Sequence, residues 1–175
     1  MFRQFYPREH YASVYDIDFQ DFFNKGFRAV LFDIDNTLVK HDAPADLRSK
    51  ELITRLHSTG FKVCIISNNH PPRVESFAKD VGCSYIYEAA KPSPEGYLKG
   101  CALLGVPKEK TLFVGDQLFT DIWGANRAGI YSIHTKQIGP DPYFYMHLKR
   151  IGEHIVWPFY LLYRRRLLPV TAKNT

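Results

Sequence analysis

The sequence predicts an α/β protein: a three-layer, Rossmann-like, doubly wound parallel sheet without an inserted cap domain. Three observations carry that expectation. Short apolar runs alternate with helix-length segments through the middle of the chain, the pattern of parallel strands joined by right-handed crossovers. The connections between them are short. Finally, the polar clusters fall just after the predicted strands, where ligands bind in open sheets of this kind.

The elements follow in order. The first 26 residues are rich in aromatics and are expected to pack as an N-terminal helix or arm (1–26). The apolar runs at 28–32, 62–67, 84–87, 111–115 and 130–134 predict strands. The first of them is apolar on both faces, as buried parallel strands are. The segment 46–58 predicts a helix, because Leu47, Ile53 and Leu56 recur near helical spacing and Gly60 follows as a stop signal. Helices are also expected over 72–79 and 94–104, each with a proline at its start, and over 121–128, just before Gly129. A core over 27–140 and a basic, aromatic helical tail over 141–175 complete the division.

Bulk properties are those of one ordinary globular domain: 175 residues, 45% hydrophobic and 23% charged. Cys64, Cys83 and Cys101 cannot all pair and lack metal-ligand spacing, so reduced thiols in a cytoplasmic protein are expected. The N-terminus lacks the apolar segment of a signal peptide, and no apolar run reaches the roughly 18 residues of a membrane span. Charge is segregated. Residues 1–133 carry 16 basic and 16 acidic side chains, whereas residues 134–175 carry 7 basic and 2 acidic, so the tail holds the whole net charge of +5.

The chemistry begins at Asp33-Ile34-Asp35-Asn36-Thr37, directly after the first strand. Two carboxylates at the end of a buried strand are costly unless a cation or donors compensate them. Ser67-Asn68-Asn69 follow the second strand, Lys91 lies shortly after the third, and Asp116 follows the fourth with Asp121 just beyond. Singly, each has a plain reading: a helix cap for Asp33 or Asp121, a turn for Ser67-Asn68-Asn69, a solvated lysine for Lys91. Together they put carboxylates, a lysine and hydroxyl or amide donors on one rim. Carboxylates with water suit Mg²⁺, and lysine with hydroxyl donors suits a phosphoryl group, so the rim points to phosphoryl transfer.

These four ordered segments resemble the motifs of the haloacid dehalogenase superfamily. With the lead-in at residues 11–18, the absence of an inserted domain and the basic tail, they resemble its subfamily IIIA phosphatases of the YqeG type, relatives of phosphatidylglycerophosphate phosphatases. The resemblance implies Asp33 as nucleophile and Asp35 as general acid and base. It implies Mg²⁺ held by Asp33, the backbone carbonyl of Asp35 and Asp116, with Asp121 as a further or indirect ligand. Ser67, the Asn68 amide and Lys91 would cradle the phosphoryl oxygens, with Thr37 bracing the nucleophile loop and grouped with the phosphate contacts.

Only 31 residues separate Asp35 from Ser67 and 23 separate Ser67 from Lys91, so an open site suited to a large substrate is expected. In the tail, Phe144, Leu148, Ile151 and Ile155 share one helical face, Pro158 is expected to kink or break that helix, and Arg164, Arg165 and Arg166 follow. Apolar residues beside a basic cluster suit an anionic membrane surface; the segment can equally pack on the sheet with its arginines solvated. The expectation is therefore a cytoplasmic, peripherally membrane-associated, Mg²⁺-dependent phosphatase. Its substrate is an anionic lipid phosphate, phosphatidylglycerophosphate, and no nucleic-acid partner is expected. Phosphoproteins, nucleic-acid 3′ ends and a non-catalytic phosphate- or membrane-binding role are the alternatives. The oligomeric state stays open.

Overall fold

The computed structural model describes residues 2–167. Its centre is a six-stranded, all-parallel sheet in the order β1-β6-β5-β2-β3-β4. The strands are β1 (Glu9–Tyr11), β2 (Ala29–Phe32), β3 (Lys62–Ile66), β4 (Ser84–Ile86), β5 (Thr111–Gly115) and β6 (Tyr131–Thr135). The helices are α1 (Phe19–Asn24), α2 (Leu47–Thr59), α3 (Pro71–Val81), α4 (Pro94–Leu104), α5 (Trp123–Ala128) and α6 (Phe144–Leu167). Five strands and four helices thus stand where the pattern of the sequence predicts them.

Strand alternation divides the core into two layers. Val30 and Phe32 of β2 point into one layer, with Leu52, Ile53 and Leu56 of α2, Val74 and Phe77 of α3, and Phe19 and Phe22 of α1. Ala29 and Leu31 point into the other, with Tyr97 and Cys101 of α4 and Ala125 of α5. The chain winds outward from β2 to β3 and β4, then returns beneath the sheet through α4 to β5 and β6. The winding direction therefore reverses between β2 and β5, and the loops after these strands part to leave a crevice.

Three features differ from the expectation. The N-terminal arm contains a sixth strand, β1, which pairs in parallel with β6 (Glu9 opposite Ile133) and is tied by the Tyr131 hydroxyl to Glu9 at 2.8 Å. Its three half-buried residues carry no apolar pattern of their own. The helix expected over 121–128 starts instead at Trp123, after a wide π-helical turn over Leu118–Ile122. Pro158 neither breaks nor ends α6, which runs through it. Pro158 is exposed, while Val156 and Tyr160 on either side are buried against the core, so packing holds the helix across the missing N–H. Tail residues 168–175 lie outside the described residues.

Leu56, in the C-terminal half of α2, is buried in the core layer beneath β2 and β3. Leu56→Ala is expected to lower unfolding free energy by about 2–5 kcal/mol in denaturant titration.

Candidate active site

Pairing of β2 on both edges, with β3 and β5, places Asp33 at the carboxyl end of a fully buried strand. Its own N–H donates to the Val114 carbonyl at 3.0 Å. β5 ends at Gly115 and delivers Asp116 beside it. The π-helical turn then folds Asp121 back over Gly115, where a Cβ would lie 2.6 Å from the Asp121 Cβ. Only glycine leaves space for that approach. Carboxylate oxygens of Asp33, Asp116 and Asp121 consequently lie within 4.8 Å of one another, and all three residues are buried.

Two cations answer this charge. Lys91 Nζ donates to Asp33 Oδ1 at 2.6 Å and to Asp121 Oδ1 at 2.7 Å. Burial alone would depress the Lys91 ammonium, but Asp121 and Asp33 together hold it above its ordinary range. Burial pushes Asp33 well above a normal carboxyl value; Lys91 opposes this, and Asp121 and Asp116 add to it. Asp116 is raised to about 7, by burial first, against the pull of Arg150. Three carboxylates against two cations leave an excess of negative charge, the condition under which a divalent cation binds. The donors are all oxygens, without histidine or cysteine, which suits a hard ion.

The remaining predicted residues divide into those that face the cleft and those that brace it. Asp33, Asp35, Ser67, Asn68, Lys91 and Asp121 all line one small cavity of about 140 Å³. The Asn68 side chain grips the Lys91 backbone from both sides, accepting from its N–H at 2.7 Å and donating to its carbonyl at 3.0 Å. Asn68 thereby sets where Lys91 starts. Ser67 is buried, and its hydroxyl accepts from the Asn69 N–H at 3.2 Å. Two further predicted residues are held by neighbours around the cleft. Thr37 is buried, and its hydroxyl donates to Asp116 Oδ1 at 3.1 Å, a contact that braces the loop after β2 against the loop after β5. The Asp35 side chain stands apart from the buried carboxylates. It takes Arg73 at 2.9 Å, the Asp42 N–H at 2.9 Å and the Asn69 amide, and is not part of the buried carboxylate cluster.

Several site residues escaped the sequence reading. Arg150, from α6, reaches 34 positions back along the chain to Asp116, pairing with its carboxylate and donating to its backbone carbonyl at 2.7 Å. It also holds Asp141 at 2.8 Å, and Asp141 in turn accepts from Asn36 at 3.0 Å. The tail helix is therefore locked to the loop after β2 and the loop after β5 at once. The Asp116 carbonyl also accepts from His134 Nε2 at 2.9 Å. Burial, then His10, lowers His134 to about 3, so it is neutral, and its Nδ1 accepts from His10 at 3.0 Å. Tyr145, Met146 and Lys149 of α6 form one wall of the cleft, so the site is capless but not wholly open. The one signal in the sequence was Arg150 sharing a helical face with Met146, Glu153 and Val156, opposite the exposed apolar stripe.

The crowded carboxylates make two predictions. Folded Asp116 titrates near 7 against an ordinary 3.8, so the metal-free protein loses stability as pH rises between those values, and a divalent cation restores more of it above that window than below. Melting with and without Mg²⁺ at about pH 5 and about pH 8 checks this, with the larger gain expected at the higher pH. Gly115→Ala is expected to displace Asp121 and weaken divalent-cation affinity by about tenfold or more, read by calorimetry.

Residues 43–129 match the family model of the haloacid dehalogenase-like hydrolases, a span that holds Ser67, Asn68, Lys91, Asp116 and Asp121 and begins after Asp33 and Asp35. The chain is 34% identical over 130 residues to the Bacillus subtilis (strain 168) protein named "Probable phosphatase YqeG", covering 74% of this chain and 76% of that one. It is 26% identical over 97 residues to a glyceraldehyde 3-phosphate phosphatase of Pyrococcus abyssi (strain GE5 / Orsay), but spans only 41% of that enzyme's length. In fold it is similar to the cobalt-bound deoxy-D-mannose-octulosonate 8-phosphate phosphatase YrbI of Haemophilus influenzae, with a TM-score of 0.53 at 17% identity over 63% of this chain and 69% of the other. A Listeria monocytogenes serotype 4b protein gives the same TM-score at 20% identity, covering 66% and 85%. The chain belongs to the haloacid dehalogenase-like hydrolases, and within them to the phosphatases.

Proposed function

We propose that the chain is a Mg²⁺-dependent phosphomonoesterase that works through an aspartyl-phosphate on Asp33, with a lipid phosphate, phosphatidylglycerophosphate, as its substrate. The observation that carries the reaction is the convergence of Asp33, Asp116 and Asp121 with Lys91 bridging two of them at the carboxyl ends of β2 and β5. Mg²⁺ held by Asp33, Asp116, the Asp35 carbonyl and, directly or through water, Asp121 would turn the local field positive and so admit a phosphate dianion.

This chain's own residues supply the rest. Lys91, Ser67 and the Asn68 amide hold the phosphoryl oxygens. An Asp33 carboxylate oxygen attacks phosphorus as the bond to the leaving oxygen breaks, and Asp35 gives that oxygen its proton. Asp35, now ionised, takes a proton from water; the water oxygen attacks phosphorus, the bond to Asp33 breaks, and phosphate leaves. Arg73 and Asn69, which hold Asp35 in place, orient it for both transfers. Arg150, Thr37 and His134 keep Asp116 in register.

The lipid assignment has two supports: the chain lacks a cap between its motifs, with only α2 and β3 between Asp35 and Ser67, and its tail is basic and apolar. A small metabolite phosphate is the second reading, favoured by the similarity to glyceraldehyde 3-phosphate phosphatases. Phosphate release from phosphatidylglycerophosphate in mixed micelles, beside glyceraldehyde 3-phosphate, separates the two. Release from the lipid, dependent on Mg²⁺ and reduced more than about a thousandfold in Asp33→Asn, is expected. Full activity in that variant would sink the mechanism, and release from the small phosphate alone would sink the lipid.

A further inference from the structure

Helix α6 is apolar on two opposite sides. Its inward side seats Met146, Val156 and Tyr160 in the core and sends Arg150 to Asp116. Its outward side carries Phe144, Leu148, Ile151, Ile155, Phe159 and Leu162, spaced by three or four residues so that all six fall on one stripe. Phe144 is 77% exposed and Ile151 60%. A helix that merely covers a core presents polar residues to water on that side. This one presents an apolar band about 27 Å long, from 18 steps of helical rise.

We propose that this outward face of α6 is a docking surface for an anionic lipid bilayer, with the catalytic cleft opening beside its N-terminal end. Charge complementarity selects the occupant. Exposed Arg165 and Arg166 stand at the far end of the stripe. Arg164 turns toward the Tyr160 hydroxyl, at 3.5 Å, and contributes less. An apolar band ending in exposed arginines fits a surface that is apolar below and anionic at its headgroups. No described helix is long and apolar enough to cross a membrane, so α6 lies along the bilayer. Tyr145, Met146 and Lys149 are both part of this helix and a wall of the cleft, which sets the cleft mouth at headgroup level. What the surface delivers to the cleft rests on the lipid-phosphate reading above; the docking itself does not.

The test is co-sedimentation of the full chain with vesicles of phosphatidylcholine, with and without a minority of phosphatidylglycerol. Wild type is expected to bind the anionic vesicles in preference. The paired change Ile151→Ser with Ile155→Ser, and separately Arg165→Gln with Arg166→Gln, are each expected to weaken binding about thirtyfold, ~2 kcal/mol in either case. Hydrolysis of p-nitrophenyl phosphate by the serine pair is expected to stay at the wild-type rate, showing an intact fold and site. Equal binding to both vesicle types, or equal binding by the serine pair and wild type, overturns the proposal. So does a wild-type dimer in sedimentation velocity that the serine pair dissociates, since the stripe would then be covered by a second copy. Binding is read without turnover, so a lipid phosphate that resists hydrolysis counts against the substrate alone.

Discussion

Everything at the rim depends on one constraint: three carboxylates are buried at the ends of adjacent parallel strands with too little positive charge around them. Burial raises Asp33 and Asp116 because an ion in a low-dielectric site loses its water. Lys91 and Arg150 offset part of this loss, and each is itself fixed by a separate device, Asn68 on the Lys91 backbone and Asp141 beside Arg150. A well-packed apolar cluster would be simpler to bury. The retained polar arrangement makes sense as a site organised in advance for a cation and a phosphoryl group, with little rearrangement left for the reaction.

The sheet supplies that organisation cheaply. β2 and β5 are neighbours whose crossovers leave in opposite directions, so the loops after them have space to hold charged groups that the interior could not. Gly115 then does in one position what a larger residue would prevent, letting the π-helical turn bring Asp121 against the strand end. The wide turn and the small residue are two halves of one solution.

Helix α6 links the site to the outer surface. One side of the helix holds Asp116 through Arg150 and walls the cleft; the other is an apolar band ending in exposed arginines. A phosphatase without an inserted cap excludes water poorly by itself. In this chain the C-terminal helix supplies one wall through Tyr145, Met146 and Lys149.

The primary sequence determined the alternation of elements, the two-layer core and the ordered Asp33/Asp35, Ser67/Asn68, Lys91 and Asp116/Asp121 segments, because apolar periodicity and strand-end polarity are local properties. Local pattern also put Phe144, Leu148, Ile151 and Ile155 on a common face, but could not say whether that face looks inward or outward. Tertiary structure decided that, along with the β1–β6 pairing, the continuity of α6 through Pro158, the turning of Thr37 to Asp116 and of Asp35 to Arg73, and the reach of Arg150. Each of these joins groups far apart in the chain, and which long-range partner satisfies a buried charge or covers an apolar face is set only when the whole sheet and its helices are assembled.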